Sequence, residues 1–124
     1  MSAGFAPISI GSETSGSLIM PANRAALYTM KPTIGLVSQQ GMVPASTYCD
    51  SAGPMTKNVI DLANTLDALI DPRLANHVPP GGYASVMTTS WEGIRIGLLE
   101  PQKWKPSEEV IGVDEAFEKQ WVRS

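Results

Sequence analysis

An α/β fold is expected from three features of the sequence. Residues 4–11, "GFAPISIG", alternate small and apolar side chains and read as a short buried strand. Residues 58–70 carry an apolar repeat of helical period, and "GIRIGLLE" followed by "KPSEEVIGVDEAFEKQWV" reads as a second buried strand and a second helix. Strand, loop, helix, strand and helix in that order is the alternation of an α/β protein. Two strands alone make a poor sheet, because parallel strands need several neighbours and cover on both faces.

The elements follow in order. After the first strand comes "PANRAALY", a short helix with Pro21 near its first turn. In "TMKPTIGLVSQQGMVP", Pro32, Gly35, Gly41 and Pro44 punctuate short extended pieces. The helix over 58–70 is carried by Val59, Leu62, Ala63, Leu66, Leu69 and Ile70, with Asn58 as cap, Asp61 at the third helical position and Asp71-Pro72 as the stop. From Pro72 to Thr89 turn-forming residues dominate, which predicts a surface connection. In the last helix Ser107 is the cap, acidic residues fill the first turn, and Val110, Val113, Phe117 and Trp121 form the apolar stripe; Gly112 weakens it by about 1 kcal/mol.

Composition narrows the class of function. With 124 residues, 43% hydrophobic and 17% charged, the chain suits one folded domain rather than a disordered segment. A net charge of −3 with scattered Lys and Arg argues against a nucleic-acid partner. Cys49 is the sole cysteine, so no internal disulfide forms, and a single histidine cannot build a zinc site. The start "MSAGFAPISI" lacks the basic region of a signal peptide, and no apolar run is long enough to span a membrane. A cytoplasmic protein without a cofactor is expected.

The chemistry concentrates in "GSETSGS", Gly11 to Ser17. A strand entering such a turn and leaving as a helix gathers backbone N–H groups around one point, as an anion or a developing oxyanion requires. A phosphate loop lacks its glycine spacing and following lysine here. Ser17, Asp50 and His77 have the chain order of a hydrolase triad, but Ser17 is not in a G-x-S-x-G elbow and His77 lies in a turn-rich stretch. A serine activated by a lysine remains, and so does a turn that only closes a strand–helix corner. Cys49 as a reactive thiol competes with a bystander cysteine, Glu13 and Asp50 as an acid pair with hydrogen-bonded turn residues, and Met20, Met30, Met42 and Met55 read as packing.

Ordered motifs go further. Gly11–Ser17, Pro21 four residues after the serine, Lys31-Pro32-Thr33, Asp50–Met55 in the pattern D-x-x-G-P-M, and a helix ending at Asp71-Pro72 together resemble the core of the amidase signature family over residues 4–72, in unbroken order. The resemblance implies a mixed sheet covered by helices, of which this chain is a partial domain: 1–72 the signature core, 73–90 a surface connection, 91–124 the next strand and helix. It implies hydrolysis of linear amides by a Ser, cis-Ser, Lys triad, with Ser17 as nucleophile and the backbone N–H groups of Thr14, Ser15, Gly16 and Ser17 as the oxyanion hole. The partner is then a small-molecule amide.

Two departures carry consequences. Where many members have Gly-Gly-Ser-Ile-Arg, this chain has Ser15-Gly16-Ser17-Leu18-Ile19. This loop and "PANRAALY" resemble fungal-type, acetamidase-like amidases rather than the glutaminyl-tRNA-linked amidotransferases. The family's bridging serine, in a Gly-Ser-Ser-Gly-Gly run, and its lysine precede the nucleophile, whereas neither occurs in the sixteen residues before Ser17; Lys31 reads as structural or as a local carbonyl partner. The chain is therefore expected to be an internal piece of an amidase, starting at an ordinary interior methionine and inactive alone. The alternative is a non-catalytic truncated remnant with at most an interaction role, self-associating through exposed strand edges.

Overall fold

The computed structural model describes residues 1–98 and residue 100. The chain divides after Thr89, and each part is described by itself. In the first part the order is β1 (Ser9–Glu13), α1 (Ile19–Arg24), β2 (Tyr28–Thr29), β3 (Ser51–Thr56) and α2 (Val59–Leu69), then two short 3₁₀ turns at Pro72–His77 and Ala84–Val86. The strands form an antiparallel sheet in the order β1-β3-β2. Helices and a small sheet make a mixed α/β architecture, and its strands turn out antiparallel.

The first strand differs from expectation. It begins at Ser9 and is half-exposed rather than buried, with Ile10 57% accessible. Gly4 sits at φ +84°, Pro7 has no N–H to give a ladder, and β1 is an edge strand. The central strand, β3, is one the sequence did not announce. Its residues, Ser-Ala-Gly-Pro-Met-Thr, have low strand propensity, yet all but Met55 are buried. Pro54 fits in a central strand because the β2 ladder reaches only Met55 and Thr56.

Residues opposed across antiparallel strands share a face. Gly11 stands opposite Gly53, and the side chain of Leu18, fully buried, fills the space both glycines leave. A methyl group on either glycine would come within 2.8 Å of a Leu18 methyl. On the other face Ala52 packs with Leu66 and Val37, joined at the margin by Met42, Leu69 and Tyr83.

α2 forms as its period predicts. Asn58 Oδ1 accepts from Asp61 N at 2.7 Å while Asn58 Nδ2 donates to Asp61 Oδ2 at 2.7 Å, a reciprocal cap. Its end is pinned where Asp71 N donates to the Leu36 carbonyl and Val37 bridges Ile70. The Asp71 carboxylate caps the following turn through Arg73 N and grips the Arg73 guanidinium. The connection after Pro72 is less free than expected, because Asp67 accepts from Tyr83 N and Ala84 N and draws Tyr83 toward the core.

α1 starts two residues before Pro21 and stops at Arg24, short of the expected Tyr28. Ala26 ends it in the left-handed region, φ 51°, and Leu27 N bonds the Ala22 carbonyl in a Schellman closure. Glycine is the residue that adopts this conformation without penalty. Ala26→Gly is therefore expected to stabilise the fold by roughly 0.5–1 kcal/mol after its entropic cost, read as a higher urea midpoint at constant slope.

In the second part the expected strand over 93–100 does not form at residues 94–98, and Ile94, Ile96 and Leu98 are exposed. An extended run becomes a strand only in a ladder, and no ladder includes residues 94–98 among the described residues. The helix expected near 107–122 lies outside the described residues.

Candidate active-site turn between β1 and α1

The turn is built around Glu13, the last residue of β1. Its side chain is buried and bends back under the turn, where Oε2 accepts from Leu18 N at 2.8 Å and Ile19 N at 2.9 Å. These are orphan amides at the start of α1, which Leu18, lacking a polar side chain, cannot cap itself. Burial pushes the Glu13 carboxyl up, but the amides of Ile19, Gly16 and Leu18, helped by the Lys31 ammonium, hold it below the usual carboxylate range. The turn is thus anchored twice, by the Leu18 side chain between two glycines and by the main chain of Leu18 on a carboxylate.

Asp50, also buried, ties down the other side. Oδ1 accepts from Thr14 Oγ1 at 2.6 Å, and Oδ2 accepts from Ala45 N at 2.7 Å and Ser46 N at 2.9 Å. The Thr14 hydroxyl, then the Ser46 amide, outweigh desolvation and keep this carboxyl below its ordinary value, with the Ala45 amide and Lys31 adding to the effect. The Asp50 carbonyl accepts from the Gln39 amide. Lys31 Nζ donates to the Cys49 carbonyl at 2.6 Å, the local carbonyl role expected of it.

Between these anchors the turn presents its chemistry outward. Gly16 has φ +95°, and a side chain there would meet Met20 Sδ at 2.8 Å, so the residue before Ser17 has to be glycine. Thr14, Ser15 and Ser17 are exposed. The Ser17 hydroxyl and the amides of Ser15 and Ser17 make no hydrogen bond among the described residues. The sequence therefore located the turn and offered Glu13 and Asp50 as hydrogen-bonded turn residues, while the partners those carboxylates take emerge only from the fold. The one signal for Glu13 was a carboxylate five residues before the buried Leu18.

Other constellations do not assemble. The Asp50 carboxylate is taken up by Thr14, Ala45 and Ser46, and His77 is exposed in the turn after α2, so Ser17, Asp50 and His77 form no triad. Glu13 and Asp50 act as hydrogen-bonded turn residues. Among the described residues no three metal-ligating side chains cluster, and no helix is long and apolar enough to cross a membrane.

A family model described as Amidase matches residues 1–121. A probable amidase from Arabidopsis thaliana is 36% identical over 108 residues, covering 80% of this chain and 21% of that protein. A glutamyl-tRNA(Gln) amidotransferase subunit from Desulforudis audaxviator is 37% identical over 117 residues, covering 91% and 23%. The native peptide amidase of Stenotrophomonas maltophilia superposes with a TM-score of 0.51 at 35% identity, over 72% of this chain and 17% of that one. The chain thus spans about a fifth of the length of the curated relatives it matches, and stands equally near amidases and glutamyl-tRNA(Gln) amidotransferases. With a match running over nearly its whole length, the chain belongs to the amidase signature family.

Proposed function

We propose that this chain is the nucleophile-bearing segment of an enzyme that hydrolyses carbon–nitrogen amide bonds. In this reading Ser17 Oγ attacks the amide carbonyl carbon, the open backbone N–H groups of Ser15 and Ser17, with that of Thr14 beside them, receive the developing oxyanion while the Gly16 N–H serves Glu13, the C–N bond breaks with the amine leaving protonated, and water then releases the acid. The observation that carries it is an exposed serine directly after an obligatory glycine, on a turn whose inner amides are held by Glu13 while those of Ser15 and Ser17 stay open.

The base and the bridging serine are contributions of the family's upstream segments. A serine hydroxyl without them has a pKa far above 7 and is a poor nucleophile. The 124-residue chain alone is therefore expected to release no ammonia from acetamide or benzamide. Release that disappears in Ser17→Ala would overturn that expectation. In a chain extended by any in-frame sequence that encodes a lysine and a Ser-Ser-Gly-Gly run, Ser17→Ala should abolish turnover by several orders of magnitude. Ser15→Ala should leave the rate within a few-fold, because the donor assigned there is main chain. Equal loss from both substitutions would remove Ser17 from the role of nucleophile.

A further inference from the structure

Between β2 and Asp50 the chain carries one charged side chain, Lys31, and the main chain is fixed on both sides of it. The Met30 carbonyl stands against Gly53, and the Pro32 carbonyl accepts from Ser51 Oγ at 2.9 Å. From this frame the partly buried Lys31 side chain reaches across to residue 49, where Nζ donates to the Cys49 carbonyl at 2.6 Å. The next residue is Asp50, whose carboxylate takes the Thr14 hydroxyl at 2.6 Å. A path of bonds therefore runs from Lys31 through residues 49 and 50 into the turn that bears Ser17. The ammonium acts by charge as well, since its field favours the ionised form of both Glu13, under the turn, and Asp50, beside it. Of the other cationic side chains in residues 1–89, Arg73 is paired with Asp71, and Arg24 and Lys57 make no ion pair among the described residues.

We propose that Lys31 is a positioning residue for amide hydrolysis at Ser17: its ammonium is the counter-charge that Glu13 and Asp50 share, and its bond to Cys49 fixes the segment from which Asp50 holds Thr14. Two buried carboxylates at one turn disfavour each other's ionisation and are costly to keep charged without a nearby cation. The turn needs both ionised. Glu13 accepts from two main-chain amides and Asp50 from a hydroxyl and two amides, and protonation would turn one oxygen of each from acceptor to donor. A neutral donor could make the bond to Cys49, but only a cation serves both carboxylates. The link to hydrolysis rests on the reading of Ser17 as nucleophile, whereas the tie between Lys31 and the turn does not.

The test compares three variants of the 124-residue chain: Lys31→Arg keeps charge and donor, Lys31→Gln keeps a donor alone, and Lys31→Met keeps neither. Carbon NMR of the side-chain carboxyls should show Glu13 and Asp50 both titrating at higher pH in the Gln and Met variants, and as in the parent in the Arg variant. The amides of Leu18, Ile19, Ala45 and Ser46, which those carboxylates hold, should exchange with solvent several-fold faster in the two neutral variants. A lysine that serves only as a strut would lower the thermal midpoint without moving either titration. Unmoved titrations in the neutral variants, a shift in one carboxyl alone, or an Arg variant that behaves like the Met variant would each overturn the proposal. Loss of folding in both neutral variants with a folded Arg variant would support it, and loss in all three would overturn it. In the upstream-extended chain, Lys31→Gln should lower kcat about 10- to 100-fold with KM changed less than about threefold, and Lys31→Arg should keep most of the rate. An unchanged kcat in Lys31→Gln would overturn the positioning role. Full activity in Ser17→Ala would instead remove Ser17 as nucleophile, while the carboxyl titrations, measured without substrate, would still report on Lys31.

Discussion

Gly53→Ala is expected to be the most damaging single substitution among residues 1–89. The added methyl group would collide with the Met30 main-chain carbonyl, approach a Leu18 methyl at 2.8 Å and press on Pro32 Cδ at 3.1 Å. Overpacking a tight site typically costs about 1–3 kcal/mol when side chains can shift. Here the first obstacle is backbone, in a central strand with neighbours on both sides, so the cost should reach about 3 kcal/mol or more. A unit of this size holds about 5–13 kcal/mol in all. Gly11→Ala supplies the control, because its methyl meets only side-chain atoms of Leu18 and Met55 and no main chain. Urea denaturation should therefore rank Gly53→Ala well below Gly11→Ala, and Gly11→Ala below the parent. Leu18→Ala, which empties the same space, should cost about 2–5 kcal/mol. Combining it with Gly53→Ala should be clearly non-additive, since the alanine at 53 then has room on one side. Equal midpoints for the two glycine variants would show that the Met30 carbonyl does not crowd residue 53 as described.

The same packing bears on the turn between β1 and α1. Ser17 is adjacent to Leu18, so whatever fixes Leu18 fixes where the Ser17 hydroxyl and its amide stand. The turn before α1 was legible in the sequence because a dense Gly/Ser/Thr run between strand and helix is a local pattern, and α2 was legible because its period and Asn58 cap are local too. β3 was not, since Gly and Pro argue against a strand, and only the neighbours β1 and β2 make residues 51–56 one. Nor was the antiparallel order, which depends on pairing β1 with a strand far along the chain, at 51–56, rather than with the apolar run at 93–100. Asp50 illustrates the limit most directly. Its carboxylate joins Thr14 to Ala45 and Ser46, partners 36, 5 and 4 positions away, and the 36-residue reach is invisible to any local pattern.

Acid should unfold this chain through its buried, hydrogen-bonded carboxylates. Glu13, Asp50 and Asp71 are all buried acceptors, and each is held below its ordinary value. For Asp50 the first cause is the Thr14 hydroxyl, and for Asp71 it is the Arg73 side chain, which brings the carboxyl to about 2. For Glu13, burial pushes upward and three amides together overcome it. A carboxyl depressed in the folded state binds its proton more readily when unfolded. Its stabilisation is therefore complete above the ordinary carboxylate range and disappears as pH falls through the folded value. The thermal midpoint should accordingly be flat above about pH 5 and fall steadily from about pH 4 toward about pH 2. The slope of unfolding free energy against pH counts protons taken up on unfolding. Asp50→Asn should lower that slope over the acid limb, since the proton this carboxyl takes up on unfolding is removed. It should also be tolerated better than Asp50→Ala, because the amide oxygen can still accept from Ala45 and Ser46 while the Thr14 hydroxyl turns to accept from the amide nitrogen. Glu13→Gln should reduce the slope likewise but at greater cost near neutral pH, since its amide group would face the Gly16 N–H that the carboxylate now attracts. If these substitutions left the acid limb unchanged, the carboxylates would not be the groups through which this turn is held to the sheet.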